Sequence, residues 1–241
     1  MKNVYCLPGT MCDERLWQLT QPLLNDIKLQ PISLPMEDSI DGIVSALAAL
    51  LPDEPICLLG FSMGGYLASA FAVKYPARIK QLMVVSNAAM GLMENEIAQR
   101  KQALNWVLKQ GYHGIPKKKA IAMLGERNKK SDFLIELIQS MDASLGESVL
   151  VQQLSSSLER PTLWPALSTL PIDCCFCIGE EDVLLPDDIC EQLQHYSNVS
   201  CHSVKHCGHM IPLEQPVWFA QKIQAFFRFP QRASPFKRGQ A

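Results

Sequence analysis

Six residues, Gly60-Phe61-Ser62-Met63-Gly64-Gly65, constrain this chain more than any other stretch. Before them runs Pro55-Ile56-Cys57-Leu58-Leu59, a short apolar run with no helical period, which predicts a buried strand. After them comes Tyr66 to Tyr75, rich in helix formers and stopped by Pro76. The order is therefore strand, Gly-x-Ser-x-Gly, helix. A serine on such a tight turn is held in a strained backbone, and the glycines leave room for close backbone approach. The helix that follows aims its free N–H groups at the serine, where they can stabilise a developing negative charge. A Gly/Ser turn that merely links a strand to a helix would need no such flanks.

The rest of the chain is read outward from this turn. Val4 to Leu7 predicts a strand, followed by a loop at Pro8-Gly9-Thr10-Met11-Cys12-Asp13 and a helix over Glu14 to Leu24. A strand is expected over Ile27 to Leu34. Asp38 or Ser39 can cap a helix carrying Ile40, Ile43, Val44, Leu47 and Leu51 at helical spacing. Ile79 to Ser86 is another buried strand. Strands and helices alternate up to this point, which argues for a mostly parallel sheet covered on both faces. From Gly91 to Ser168 only helical patterns appear: Asn95 to Lys109, Lys117 to Leu124, Asp132 to Leu145 and Ser148 to Leu158. The alternation then resumes with a strand over Ile172 to Ile178, a helix over Asp187 to His195, a strand over Val199 to Val204 and a helix over Pro216 to Phe227. The expected organisation is an α/β core from residues 1–90 and 169–229, a helical lid over 91–168, and a flexible tail over 230–241.

Composition narrows the class. The chain has 241 residues, 48% of them hydrophobic and 19% charged, as in an ordinary soluble domain with a substantial core. A formal net charge of −2 gives no reason to expect nucleic acid, and no apolar run is long enough to span a membrane. The apolar part of the N-terminus is too short for a signal peptide. Nine cysteines, several inside apolar runs, predict mostly buried free thiols in a reducing cytoplasm rather than a disulfide framework. Cys174-Cys175-Phe176-Cys177 and Cys201-His202 through His206-Cys207 contain zinc-type ligand residues. Adjacent strand residues point to opposite faces, so Cys174 and Cys175 cannot share one ion, and no metal is expected.

A serine hydroxyl becomes a nucleophile only with a base to take its proton and an acid to orient that base. Downstream of Ser62, Gly179-Glu180-Glu181-Asp182-Val183-Leu184-Leu185-Pro186 follows one strand, and Cys207-Gly208-His209-Met210 follows the last. Together with Pro8-Gly9 and Leu213-Glu214-Gln215-Pro216, these segments make the chain, from Val4 to Phe227, resemble the α/β-hydrolase superfamily. The resemblance implies a mostly parallel sheet with a helical lid, and because the chain starts at what would be the family's third strand, about six strands are expected rather than eight. It makes Ser62 the nucleophile, His209 the base and Asp182 the orienting acid. The backbone N–H groups of Thr10 and Met63 become the oxyanion donors. Relatives usually carry His-Gly where this chain has Pro8-Gly9, but a main-chain donor survives that change. Glu181 is the fallback acid. His206 is a surface or supporting group, and His113, His195 and His202 are ordinary histidines.

The lid should carry substrate choice. From Ala98 to Lys130 it holds nine basic residues opposed only by Glu126. A solvated helix face would look the same. The alternative is a landing site for an acidic acyl carrier protein, centred on Lys117, Lys118 and Lys119, since the lid resembles that of the pimeloyl-carrier-protein methyl esterases. Met90, Leu92, Met93, Trp106, Met123 and Trp164 are candidates for an acyl pocket or, for most of them, for helix packing. The expected function is hydrolysis of a small carboxylic ester or thioester with no cofactor. Two rivals stand beside it. One is a C–C hydrolase or lyase on the same three residues, disfavoured because Tyr66 stands where such relatives commonly carry an arginine. The other is a non-catalytic binding protein, which predicts a broken triad.

Overall fold

The computed structural model describes residues 1–228. Six strands form one sheet: β1 (Lys2–Leu7), β2 (Ile27–Pro31), β3 (Ile56–Phe61), β4 (Ile79–Val85), β5 (Asp173–Gly179) and β6 (Val199–Val204). Their order is β2-β1-β3-β4-β5-β6, and every neighbouring pair is parallel. Nine helices are assigned among the described residues: α1 (Ile40–Leu50), α2 (Met63–Lys74), α3 (Glu94–Gln110), α4 (Lys117–Ala122), α5 (Asp132–Ser156), α6 (Trp164–Leu167), α7 (Ile189–Leu193), α8 (Ile211–Glu214) and α9 (Pro216–Arg228).

The sheet is buried on both faces because its strands alternate between two cores. Leu59 and Phe61 of β3 face a core built with Trp17, α4, α5 and α9, while Ile56 and Leu58 face one built with α1, α2, α6 and α7. The same alternation sends Cys174 into the second core and Cys175 and Cys177 into the first. Every residue of β3 is buried, which is why that segment reads as a continuous apolar run. Ser39 caps α1 by accepting from the Gly42 N–H at 3.1 Å.

Two expectations need correction. The helix expected over Glu14 to Leu24 is instead two 3₁₀ turns, Glu14–Trp17 and Gln21–Leu23. The Asp13 carboxylate caps the first by accepting from the Arg15 N–H, and Pro22, which has no N–H to donate, falls inside the second. The two helices expected over 132–158 are both present within the span of α5, separated by the break at Gly146, where φ is +76°. Finally, Cys190 and Cys201 form a disulfide with a Cα–Cα distance of 5.4 Å. A cysteine count cannot reveal that α7 packs against the edge strand β6, which is what brings these two together. The other seven cysteines are free and buried. The tail expected over 230–241 lies outside the described residues.

Candidate active site

The site forms at the C-terminal ends of β3, β4, β5 and β6. Ser62 follows β3 directly and has φ +52°, a left-handed value that costs a non-glycine residue energy. The turn around it is fixed: the Ser62 N–H donates to the Val85 carbonyl at 2.8 Å, and the Ser62 carbonyl accepts from Gly65 and Tyr66 at 2.9 and 3.1 Å. A Cβ on Gly60 would lie 2.1 Å from the Gly64 carbonyl oxygen, and one on Gly64 would lie 2.3 Å from that of Leu7. Neither position admits a side chain, so these two glycines allow the sharp turn that lifts Ser62 out of the sheet.

His209, in the loop after β6, meets Ser62 with its Nε2 2.9 Å from the serine Oγ. Its Nδ1 lies 2.8 Å from Oδ2 of Asp182, which follows β5. Both the histidine and the aspartate are buried. A carboxylate can only accept, so Nδ1 carries the proton and Nε2 is left to accept from the serine hydroxyl. The other Asp182 oxygen accepts from the Leu184 N–H at 3.0 Å, which holds the carboxylate in place. The three residues are thus one hydrogen-bonded chain, with His209 packed 5.2 Å from the Phe61 ring.

A family model of the alpha/beta hydrolase family matches residues 28–222. The chain belongs to that family. Along its length it is similar to a Bacillus subtilis (strain 168) protein provisionally named 2-succinyl-6-hydroxy-2,4-cyclohexadiene-1-carboxylate synthase, at 22% identity over 92% of this chain and 89% of that one. Among solved structures it is similar to a thermophilic esterase from Thermogutta terrifontis with malate bound, at TM-score 0.81 and 24% identity over 95% of this chain and 90% of that chain. It is also similar to MenH from S. aureus, at TM-score 0.76 and 20% identity over 94% and 93% of the two chains.

In this alpha/beta hydrolase, Thr10 and Met63 both border the cavity at Ser62. Met63 is the first residue of α2, so its N–H has no partner within the helix. Among the described residues, neither the Thr10 nor the Met63 N–H donates to a protein acceptor. The Thr10 loop is fastened by α5, because the next N–H, that of Met11, donates to Oε1 of buried Gln153 at 2.9 Å. Glu181 turns away from His209: its Oε2 accepts from the Glu126 N–H at 2.6 Å, and its Oε1 lies 3.7 Å from His206. His113 and His195 are exposed and His202 lies on β6; none of the three borders the cavity.

Sequence reasoning assigned Glu214 no role. Its buried carboxylate accepts from the N–H groups of Gly208 at 3.0 Å, Met210 at 3.1 Å and Gly125 at 2.7 Å, and from Asn128 Nδ2 at 3.0 Å. The first two donors flank His209. The other two belong to the segment between α4 and α5, where the Met123 carbonyl also accepts from the His209 N–H at 2.8 Å. Met90 and Met93 border the cavity, whereas Leu92, Trp106, Met123 and Trp164 do not. Trp164 packs instead, donating from its indole N–H to the Ala88 carbonyl. Lys117, Lys118 and Lys119 are exposed on α4 and do not border the cavity, so only a partner larger than a small ester could reach them from there. No described helix is long and apolar enough to cross a membrane.

Proposed function

We propose that the chain is a serine hydrolase of a carboxylic ester or thioester. The observation that carries this reading is the unbroken chain from Ser62 Oγ through His209 to Asp182, with links of 2.9 and 2.8 Å at the wall of one cavity. Ser62 attacks the carbonyl carbon as His209 Nε2 takes its proton, and Asp182 stabilises the imidazolium that results. The Thr10 and Met63 N–H groups, free of protein acceptors, receive the oxyanion. His209 returns the proton to the departing alcohol or thiol. Water then attacks the acyl-enzyme with His209 again as base, and the acid leaves.

The exposed lysines support a finer version, in which the ester is carried on an acidic acyl carrier protein, as in the pimeloyl-carrier-protein methyl esterases. A second reading, a carbon–carbon lyase on the same three residues, draws support from the Bacillus subtilis relative. Hydrolysis of a simple methyl or p-nitrophenyl ester, which has no such bond to cleave, separates the two. We expect turnover of that free ester. We also expect combined Lys117→Glu, Lys118→Glu and Lys119→Glu to slow a carrier-bound methyl ester about tenfold while sparing the free one. Equal effects on both esters would remove the carrier, and a folded protein inert toward every ester would remove the hydrolase reading.

A further inference from the structure

Three charged side chains at this cavity, Glu96, Arg100 and Arg160, have no use in the chemistry above. Arg160 lies between α5 and α6 and borders the same cavity as Ser62 and His209. Its guanidinium is largely buried, and its Nε is one of three buried side-chain polar atoms without a hydrogen-bond partner among the described residues. Among the described residues none of its other donors bonds a protein acceptor, and no carboxylate is within ion-pair distance of it. Burying a cation without an acceptor is costly, and a fold rarely retains one with nothing to gain.

The side chain is held in place. Its Cζ lies 4.7 Å from the centre of the Tyr66 ring, so the cation sits over the face of the residue that follows the serine turn. Tyr66 is itself fixed, donating its hydroxyl to the Pro161 carbonyl at 2.7 Å. The backbone is pinned too, since the Leu163 N–H donates to the Ala89 carbonyl at 2.9 Å and Thr162 Oγ1 accepts from the Gly91 N–H at 3.1 Å. The ring contact uses none of the guanidinium's hydrogen bonds and leaves its N–H fork for a ligand.

Arg100 borders the cavity as well, but it is already engaged: it donates to Glu96 Oε1 at 2.8 Å and to Ser157 Oγ at 2.9 Å. Glu96 bonds Arg100 and is also felt by Arg160 across the cavity, but one carboxylate faces two guanidinium groups and leaves a net positive charge there. Burial first, and then Arg100 beside it, push the Arg160 pKa down to about 10, so the group stays charged at neutral pH and an anion would relieve both penalties.

We infer that Arg160 is the anion-binding subsite of this cavity, and that the substrate of Ser62 is an ester bearing a carboxylate received by that guanidinium fork. The inference rests on the serine hydrolase reading for the word ester and on Arg160 alone for the carboxylate. A guanidinium–carboxylate pair is the charge-assisted, bidentate kind of contact that a dry cavity rewards.

The test uses mono-p-nitrophenyl esters of succinate, glutarate and adipate against the neutral butyrate, pentanoate and hexanoate esters. At the best-fitting length the charged ester should have a kcat/KM about tenfold or more above its neutral counterpart. Arg160→Gln should lower that ratio about tenfold, and Arg160→Lys, which keeps the charge but not the fork, should fall between. A ratio near one at every length, or the same ratio in Arg160→Gln as in the wild type, overturns the inference. Should Arg160→Gln not fold, the wild-type ratio and Arg160→Lys decide. Calorimetric binding of free glutarate and adipate to Ser62→Ala reads the subsite without turnover. Binding there that is lost in Ser62→Ala/Arg160→Gln supports the subsite even if no ester is hydrolysed. Ester turnover without charge preference overturns the subsite and leaves the serine reading intact. Absence of both turnover and binding overturns the inference outright.

Discussion

Ser62→Ala is expected to lower kcat/KM for a p-nitrophenyl ester by about 10⁴-fold or more, with the fold and thermal midpoint close to those of the wild type. The reason lies in what the side chain touches. The Ser62 Oγ has one hydrogen-bond partner among the described residues, His209 Nε2 at 2.9 Å, so its removal takes away the nucleophile and leaves no framework contact unmade. The turn itself is held by backbone bonds to Val85, Gly65 and Tyr66, which alanine keeps. Asp182→Asn should cost a comparable factor by a different route. An amide N–H₂ facing Nδ1 favours the tautomer with the proton on Nε2, which then cannot accept from Ser62. The comparison is made with steady-state kinetics on variants whose circular dichroism matches the wild type. Wild-type rates in Ser62→Ala would remove the serine mechanism.

The second large effect is on stability. Glu214→Ala should destabilise the protein by about 3 kcal/mol or more, since three buried backbone N–H groups and an asparagine amide lose their shared acceptor at once. That is a sizeable part of the 5–15 kcal/mol, roughly, that holds a domain together. Glu214→Gln keeps one acceptor oxygen but turns an N–H₂ toward donors, so it should fall between. Because Gly208 and Met210 flank His209, the alanine variant should also lose kcat wherever it remains folded. Denaturant unfolding reads the first effect and kinetics at low temperature the second. A Glu214→Ala protein within about 0.5 kcal/mol of the wild type would show that water replaces the carboxylate without loss.

The contrast between Ser62 and Glu214 shows what a sequence makes legible. Ser62 is announced locally: an apolar run, two glycines with no room for a Cβ, and a helix all lie within a few residues of it. The strands were legible for the same reason, because a sheet buried on both faces writes continuous apolar runs such as Ile56 to Phe61. Asp182 and His209 were placed by their strand ends and by the family resemblance. The functions of Glu214, Gln153 and Arg160 depend on partners far along the chain, although Glu214 also holds Gly208 and Met210 close by. Glu214 binds Gly125, Gln153 binds Met11, and Arg160 sits over Tyr66. Nothing near any of these three in the sequence specifies the other end of its contact. The Cys190–Cys201 disulfide was missed on the same ground, since it depends on a helix docking against an edge strand. The helix expected after Asp13 failed for a local reason that was visible: Pro22 stands inside it.

The most direct measurement of the central claim is labelling of the folded wild-type chain with a p-nitrophenyl alkylphosphonate, followed by peptide mass spectrometry. The account predicts release of p-nitrophenol with a single adduct per chain, located on Ser62, and none in Ser62→Ala. Folded protein that takes up no label, or takes it up on another residue while hydrolysing esters, would contradict it.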